Sequence, residues 1–564
     1  MRHASLAGLA LVAFGSFAWA ACSAAGNQAA SSGLGSGGSG GAAAGTGGLG
    51  QAGGPCHGDS CAAGGGSVIP DPTTCAEAAQ GHTYLGCDFW PTVVDNSVRP
   101  VFDFAAVVAN PGATEASVTV TRGGQAVASA TVPPNGLAKL YLPWVPELKS
   151  LSWMNNKPDN GCPTWVKTQT VAAPGGAYHL VSTRPVAVYQ FNAIEYAGKG
   201  GGPGKDWSDC QTKTCFGMLD CFSYTNDASL LLPSTAMTGT YRVAGLDPWT
   251  EMDSSDPNHP TSFTWPAYFA VTGTADGTTV TVRLSSTGAI AGGGGVPSTS
   301  NGGTATFGLG AGDVVMVVGT AASDFSGTLV EATKPVQVIT GTACTRVPFG
   351  TEACDHIEES VLPAETLGKH YFVTVPTGPG GAVQGHRVRL YGNVDGTHLT
   401  YHGQAPNGPS TLHAGQVVDL GMVTGDFEVE GDHEFTVASF QRSAGPVSGN
   451  REGDPSQSFS VTVEQYRLKY VFLAPDDYDE SWVDVVAPVD ATLTLDGHPV
   501  STTITPISSG YGVARVALDA SGGGVHVLEA SKPVGIQVLG YGAYTSYQYP
   551  GGLNLGKIAP PPVK

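Results

Sequence analysis

The chain has 564 residues, with 26 lysines and arginines against 46 aspartates and glutamates, and its formal charge of −20 excludes nucleic acid and anionic membrane surfaces as partners. Only 13% of residues are charged, while 80 glycines and 39 prolines punctuate a sequence rich in valine and threonine. That balance argues against long amphipathic helices and predicts an extracellular all-β protein with many turns.

The first predicted element is a lipoprotein signal peptide over residues 1–22. Arg2 precedes an apolar run from Leu6 to Trp19, shorter than the roughly 20 residues a helix needs to span a bilayer. Ala20 and Ala21 then lead to Cys22, which suits a bacterial lipoprotein peptidase that leaves Cys22 as a lipidated N-terminus. Trp19 departs from the usual aliphatic residue, and ordinary cleavage after Ala20 or Ala21, giving a secreted protein, is the alternative. Ser23 favours sorting to the outer membrane, facing the exterior. Residues 23–66 are glycine, alanine and serine with almost no bulky side chain, so they cannot offset chain entropy by burial. They are read as a disordered tether with an r.m.s. span of roughly 35 Å, and membrane contact is expected through the lipid anchor only. Within the tether Cys56 and Cys61 are expected to form a small local disulfide, because with His57 they make an incomplete metal-ligand set.

The remainder is predicted to form four β modules over 67–225, 226–345, 346–445 and 446–550, followed by a tail, 551–564. Four segments carry the repeat. Ser182-Thr183-Arg184-Pro185-Val186-Ala187-Val188, Ala332-Thr333-Lys334-Pro335-Val336-Gln337-Val338 and Ser531-Lys532-Pro533-Val534-Gly535-Ile536 match closely, and Asp432-His433-Glu434-Phe435-Thr436-Val437 is a degenerate copy. Glu434 lies 99 residues from both Pro335 and Pro533, whereas Pro185 lies 150 before Pro335, the excess falling in a Gly- and Cys-rich insertion around 197–225. Proline is tolerated at a strand's first position, and the alternating residues behind it read as a half-buried strand. Earlier in each module an Asp/Asn-Gly or Pro-Gly turn between alternating apolar residues predicts a hairpin, as at Asp276-Gly277, Asp395-Gly396 and Asp496-Gly497. About six strands per 100 residues give tandem β-sandwich-like modules, with a β-propeller as the alternative.

Besides Cys22 there are ten cysteines, an even number in an exported chain. Cys75 with Cys87 and Cys344 with Cys354 are expected to pair locally. Cys162, Cys210, Cys215 and Cys221 form a further cluster whose connectivity the sequence leaves open.

Cys87-Asp88-Phe89-Trp90-Pro91-Thr92, Val107-Val108-Ala109-Asn110-Pro111 and Pro185-Val186-Ala187-Val188-Tyr189-Gln190-Phe191-Asn192 resemble the IgGFc-binding protein N-terminal domain family. Ser229-Leu230-Leu231-Leu232-Pro233-Ser234, Thr342-Ala343-Cys344-Thr345 with Val361-Leu362-Pro363, and Tyr470-Val471-Phe472-Leu473-Ala474-Pro475 extend the resemblance over about 80–550. With a lipobox and a Gly/Ser tether, it is similar to the bacterial, myxobacterial-type members. The resemblance implies adhesion or recognition and brings no defined binding residues.

No catalytic motif is found: the chain has no Gly-x-Ser-x-Gly, His-Glu-x-x-His or phosphate loop. His356 with Glu358 and Glu359, just after Cys354, reads as a solvated charge cluster in a loop, with half of a metal site as the alternative. Asp476, Asp477, Asp479, Glu480 and Asp484 place five carboxylates within nine positions. They read as a solvated acidic loop, with a structural calcium as the alternative, and no other cofactor is expected. Asp247 to Asp256 is a second acidic loop. Trp144, Trp153 and Trp165 read as core or disulfide packing, with an exposed partner surface as the alternative. The expected function is a non-enzymatic cell-surface adhesion or recognition module for an extracellular protein or matrix glycan. A polysaccharide-active hydrolase and a purely structural envelope protein are the alternatives.

Overall fold

In a computed structural model of the protein, the four repeat segments all lie where a strand leaves one sheet and enters another. The structure describes residues 70–150, 167–208, 210, 221–223, 225–253, 261–351, 354–444, 452–519 and 524–562. The signal peptide, Cys22, the tether, Cys56, Cys61, Trp153, Cys162, Trp165 and Cys215 lie outside them. The described residues belong to one compact unit, Gly66–Lys564.

A short helix, α1 (Cys75–Gly81), opens it, its first turn closed by a capping box between Thr74 and Glu77. Unit I contains β1 (Gly86–Phe89), β2 (Phe104–Asn110), β3 (Ala116–Arg122), β4 (Gln125–Val132), β5 (Gly136–Leu142), β6 (Val171–Ala173), β7 (His179–Asn192) and β8 (Ala228–Leu231). Unit II contains β9 (Thr240–Arg242), the excursion β10 (Trp249–Asp253) and β11 (Thr261–Trp265), then β12 (Ala267–Gly273), β13 (Thr278–Arg283), β14 (Thr304–Leu309), β15 (Val314–Val318), β16 (Leu329–Ala332), β17 (Val336–Thr345) and β18 (Asp355–Ser360). Unit III contains β19 (His370–Val373), β20 (His386–Gly392), β21 (Thr397–Gly403), β22 (Thr411–Leu412), β23 (Val417–Val423), β24 (Phe427–Gly431), β25 (Phe435–Phe440) and β26 (Gln457–Phe459). Unit IV contains β27 (Arg467–Leu473), β28 (Glu480–Pro488), β29 (Leu493–Leu495), β30 (His498–Pro499), β31 (Thr505–Ser508), β32 (Tyr511–Leu518), β33 (Val525–Gly542) and β34 (Thr545–Pro550).

Each unit is a two-sheet sandwich with the same connectivity. One sheet has the order β4-β3-β7-β1 in unit I, β14-β13-β16-β9 in II, β22-β21-β24-β19 in III and β30-β29-β33-β27 in IV. The other has the order β5-β2-β7-β8, β15-β12-β17-β18, β23-β20-β25-β26 and β32-β28-β33-β34, with β6 and β31 added at edges. In units I and IV one long strand, β7 or β33, therefore serves both sheets, and in units II and III the consecutive strands β16–β17 and β24–β25 divide that role. In β7, His179–Ser182 pairs with β3, and Ala187–Asn192 pairs with β2. The change of sheet falls at Pro185, Pro335, Glu434 and Pro533. A residue at this corner leaves one ladder before joining the next, so a missing N–H costs little there.

Two of the three Asp-Gly pairs behave differently from the expected hairpins. β12 pairs with β15 and β17, and β13 with β14 and β16, so Asp276-Gly277 bridges the two sheets as an arch. Asp395-Gly396 does the same between β20 and β21. β12 and β20 already have a ladder partner on each edge, which leaves the returning strand only the opposite sheet. Asp496-Gly497 does close a hairpin, β29 to β30, with both residues at positive φ. The sheets also close later than boundaries at 225, 345 and 445 would have it, because β8, β18 and β26 complete units I, II and III.

Those last strands organise the whole. β8 packs against β18 and β34, and β26 packs against the same two, so the four units close into a ring through their final strands. Units II and III have their own apolar interiors, around Phe269 and Val280 and around Val388 and Phe427. One continuous core joins units I and IV, including Val107, Tyr189, Val485 and Tyr549. Among the described residues no helix is long and apolar enough to cross a membrane.

Candidate functional site

The centre of the ring is polar. Asp227, one residue before β8, is fully buried. Its Oδ1 accepts the backbone N–H of Ala228 at 2.9 Å and of Gln548 at 3.4 Å, and its Oδ2 those of Glu358 and Gln457, each at 3.0 Å. One carboxylate thus takes a backbone donor from the last strand of every unit. Burial pushes its pKa well up, and the N–H groups oppose that shift; only the ionised form satisfies all four donors. Glu358, also fully buried, accepts from Gln190 at 3.1 Å, Ser229 at 3.0 Å and Asn192 at 2.6 Å, and stands 3.3 Å from His356 Nε2. Glu359 accepts the N–H groups of Leu230 and Ser360. Burial raises Glu359, Asp355 and Asp454 well above the ordinary carboxyl range.

The solvated loop expected for His356, Glu358 and Glu359 is therefore a buried strand, β18, whose six residues are all inside. Charge density in the sequence pointed to solvent, but the donors that make burial of Glu358 and Glu359 tolerable come largely from β7 and β8, far away in the chain. No pattern around Asp227 marked it.

Three tyrosines form a second feature missed in the sequence. Tyr241, Tyr371 and Tyr470, on the first strands of units II, III and IV, donate their hydroxyls to the carbonyls of Val336, Phe435 and Val534, each the residue after the corner. Each hydroxyl also accepts the N–H of the residue three positions earlier, Thr238, Gly368 or Arg467. Tyr371 and Tyr470 stand 99 residues apart, as do the corners, and that spacing was a usable signal. In unit I, β1 carries Cys87 instead, joined to Cys75 of α1.

Among the described residues the disulfides are Cys75–Cys87, Cys210–Cys221 and Cys344–Cys354. The acids 476–484 do not converge. Asp476 and Asp477 receive Lys139 of unit I at 2.5 and 3.2 Å, and Asp479 accepts from Tyr196. Glu480 accepts the N–H of Gly380 at 2.8 Å, and Asp484 the N–H and hydroxyl of Thr377 at 2.9 and 2.5 Å. They tie unit IV to units I and III. Asp247 likewise pairs with Arg387 and Arg389 of unit III. Trp144 is half-buried and donates to Phe102 O at 2.8 Å.

Among the described residues the grouping suited to a metal is His370, Glu428 and Glu430. His370 Nε2 lies 2.7 Å from Glu428 and 3.6 Å from Glu430, and Ser509 of unit IV donates to Glu428 at 2.7 Å. Beside the same seam a cavity of about 190 Å³ is lined by Pro376, Gln384, Gln441, Glu452 and Tyr541. Gln441 has no hydrogen-bond partner for either amide atom, so this cleft suits a small polar group.

A family model described as IgGFc binding protein matches residues 227–540, more than half of the chain, starting at the central aspartate. Human IgGFc-binding protein is 27% identical over 230 residues, which is 40% of this chain and 4% of the human protein's length.

Proposed function

Because the chain belongs to the IgGFc binding protein family, we propose that it is a recognition protein that binds an extracellular partner, either a surface protein or a matrix glycan. The observation that carries this reading is the closed ring. Among the described residues its centre is filled by Asp227, Glu358 and their donors, which leaves the loops on four similar units as the surface to meet a partner. Four units per chain, and many chains per surface, let weak contacts add through multivalency.

Lipidation of Cys22 and the tether over 23–66 complete the proposal, as a bacterial outer-membrane lipoprotein of myxobacterial type or, without the lipid, a secreted protein. A tether of that kind suits a module that must reach a partner, and a diffusible substrate would not require one. The isolated domain should bind in the micromolar range or more weakly, and far more strongly when clustered. Beads coated densely with residues 66–564 should adhere to the producer's matrix or to cells, and sparse coating should not. Immobilised antibody Fc serves as a separate arm, since the human relative's name refers to it. If dense coating adheres no better than a β-sandwich control of equal charge on every surface, recognition fails and a structural envelope role takes its place.

A further inference from the structure

Unit I contains a lysine that is buried and, among the described residues, has no carboxylate in ion-pair contact with its Nζ. Lys149 is 1% exposed, in the loop after β5. Its Nζ touches Oδ1 of Asn96, which is fully buried in the loop between β1 and β2, and lies 3.8 Å from the centre of the Trp144 ring. Among the described residues it has no other polar partner. The asparagine is held still: its Nδ2 donates to Val94 O at 2.8 Å and to Asn192 Oδ1 at 3.3 Å, and its Oδ1 accepts the N–H of Val98 at 3.2 Å. The ring beside it is held by Phe104 and by its own bond to Phe102 O. Next to the asparagine is Asp95, 2% exposed, with one oxygen that has no partner.

This is the arrangement of an amine nucleophile against a fixed carboxamide in a dry, aromatic site, with an acid alongside. We propose that Lys149 and Asn96 join through an intramolecular isopeptide bond. Nζ attacks Cγ of Asn96, the Nζ–Cγ bond forms and the Cγ–Nδ2 bond breaks. One proton passes from Nζ to Nδ2, which leaves as ammonia. Nothing is oxidised or reduced, and no co-reactant is needed. Two environmental shifts assist. Burial holds the amine well below its usual pKa, so it keeps the lone pair it needs. Burial also pushes Asp95 up to about 6, close to the range in which a carboxyl can take and return the proton. Asp95 is the carboxylate whose charge acts on Lys149. The corresponding loops of the other units, 319–328, 424–426 and 519–524, contain no lysine, so the cross-link belongs to unit I alone.

The test is a peptide map of the full chain, purified, reduced and denatured. The expected result is one branched peptide carrying both Asn96 and Lys149, about 17 Da lighter than the sum of its parts, with no tryptic cut after Lys149. Linear peptides in which both residues are unmodified would overturn the bond, and this needs no variant. Asp95→Asn, checked for folding by circular dichroism, should give mainly the linear peptides; a folded variant that is fully cross-linked would remove Asp95 from the reaction. Lys149→Met should abolish the branched peptide and the 17 Da loss, and a mass loss that persists in the variant would overturn the bond and assign it to another site, such as succinimide formation at an Asn-Gly pair.

Discussion

Replacing Asp227 by asparagine tests the ring directly. Asparagine keeps the shape of the side chain but offers one oxygen and one NH2 group. Whichever way the amide turns, two of the four backbone N–H groups that meet at this carboxylate lose their acceptor. Each buried donor left unmatched costs about 1–3 kcal/mol. Two such donors give about 2–6 kcal/mol; the amide should turn its NH2 toward Ala228 and Gln548, where the 3.4 Å bond is the longest of the four, so the cost belongs in the lower half of that range, at about 3 kcal/mol. Opening of the final strands should then rise about 150-fold. Hydrogen exchange followed by mass spectrometry reads this locally. Faster exchange is expected together in peptides covering β8, β18, β26 and β34, although three of these strands lie in units that do not contain the mutation. If exchange changes only around β8, or not at all, Asp227 does not couple the units and the reasoning fails.

Tyr371→Phe removes the hydroxyl between Gly368 N–H and Phe435 O and should cost about 1–3 kcal/mol in urea unfolding; a loss below about 0.5 would show that the corner tyrosines carry no load. Glu195 is raised to about 8 by burial and by Asp103, so its contribution is full below about pH 4.5 and is lost as pH rises through 8. Glu195→Gln should therefore flatten the decline of the urea midpoint between pH 5 and 9, and an unchanged slope would remove Glu195 as its source. Because each acid of 476–484 has a partner within the protein, EDTA should move the melting temperature by less than about 1 °C. A larger fall that calcium reverses would restore the cation reading of Asp476, Asp477, Asp479, Glu480 and Asp484.

The all-β class and the repeat could be read because both are local: alternation shows in a few residues, and Pro185, Pro335 and Pro533 stand out by identity. That these prolines sit at a corner between sheets could not be read, because a corner is defined by which strands pair on either side. The arches at Asp276-Gly277 and Asp395-Gly396 show the same limit, since the residues for a tight turn are present and tertiary pairing decides which strands they join. Tyr241, Tyr371 and Tyr470 were legible in principle through their spacing, but their acceptors lie far downstream. Asp227 and β18 were not legible. A buried carboxylate is tolerable only when donors surround it, and here they come from four places in the chain.

The two ends of the ring meet. Thr83 bridges Asn554, Tyr84 N–H donates to Leu553 O at 3.1 Å, Leu555 N–H donates to His82 O at 2.7 Å, and Arg467 holds Asp71 and Asn554. Entry and exit of the polypeptide are therefore neighbours, so the ring can sit within a longer chain as a bead on a string without pushing its flanks apart. Under tension the same geometry sets the order of failure. A pull on both flanks opens this short seam bond by bond, like a zipper, before load reaches the long ladders of β28 with β33 or β2 with β7. The seam then acts as a fuse, giving way at low force and leaving the four sandwiches folded while the chain pays out.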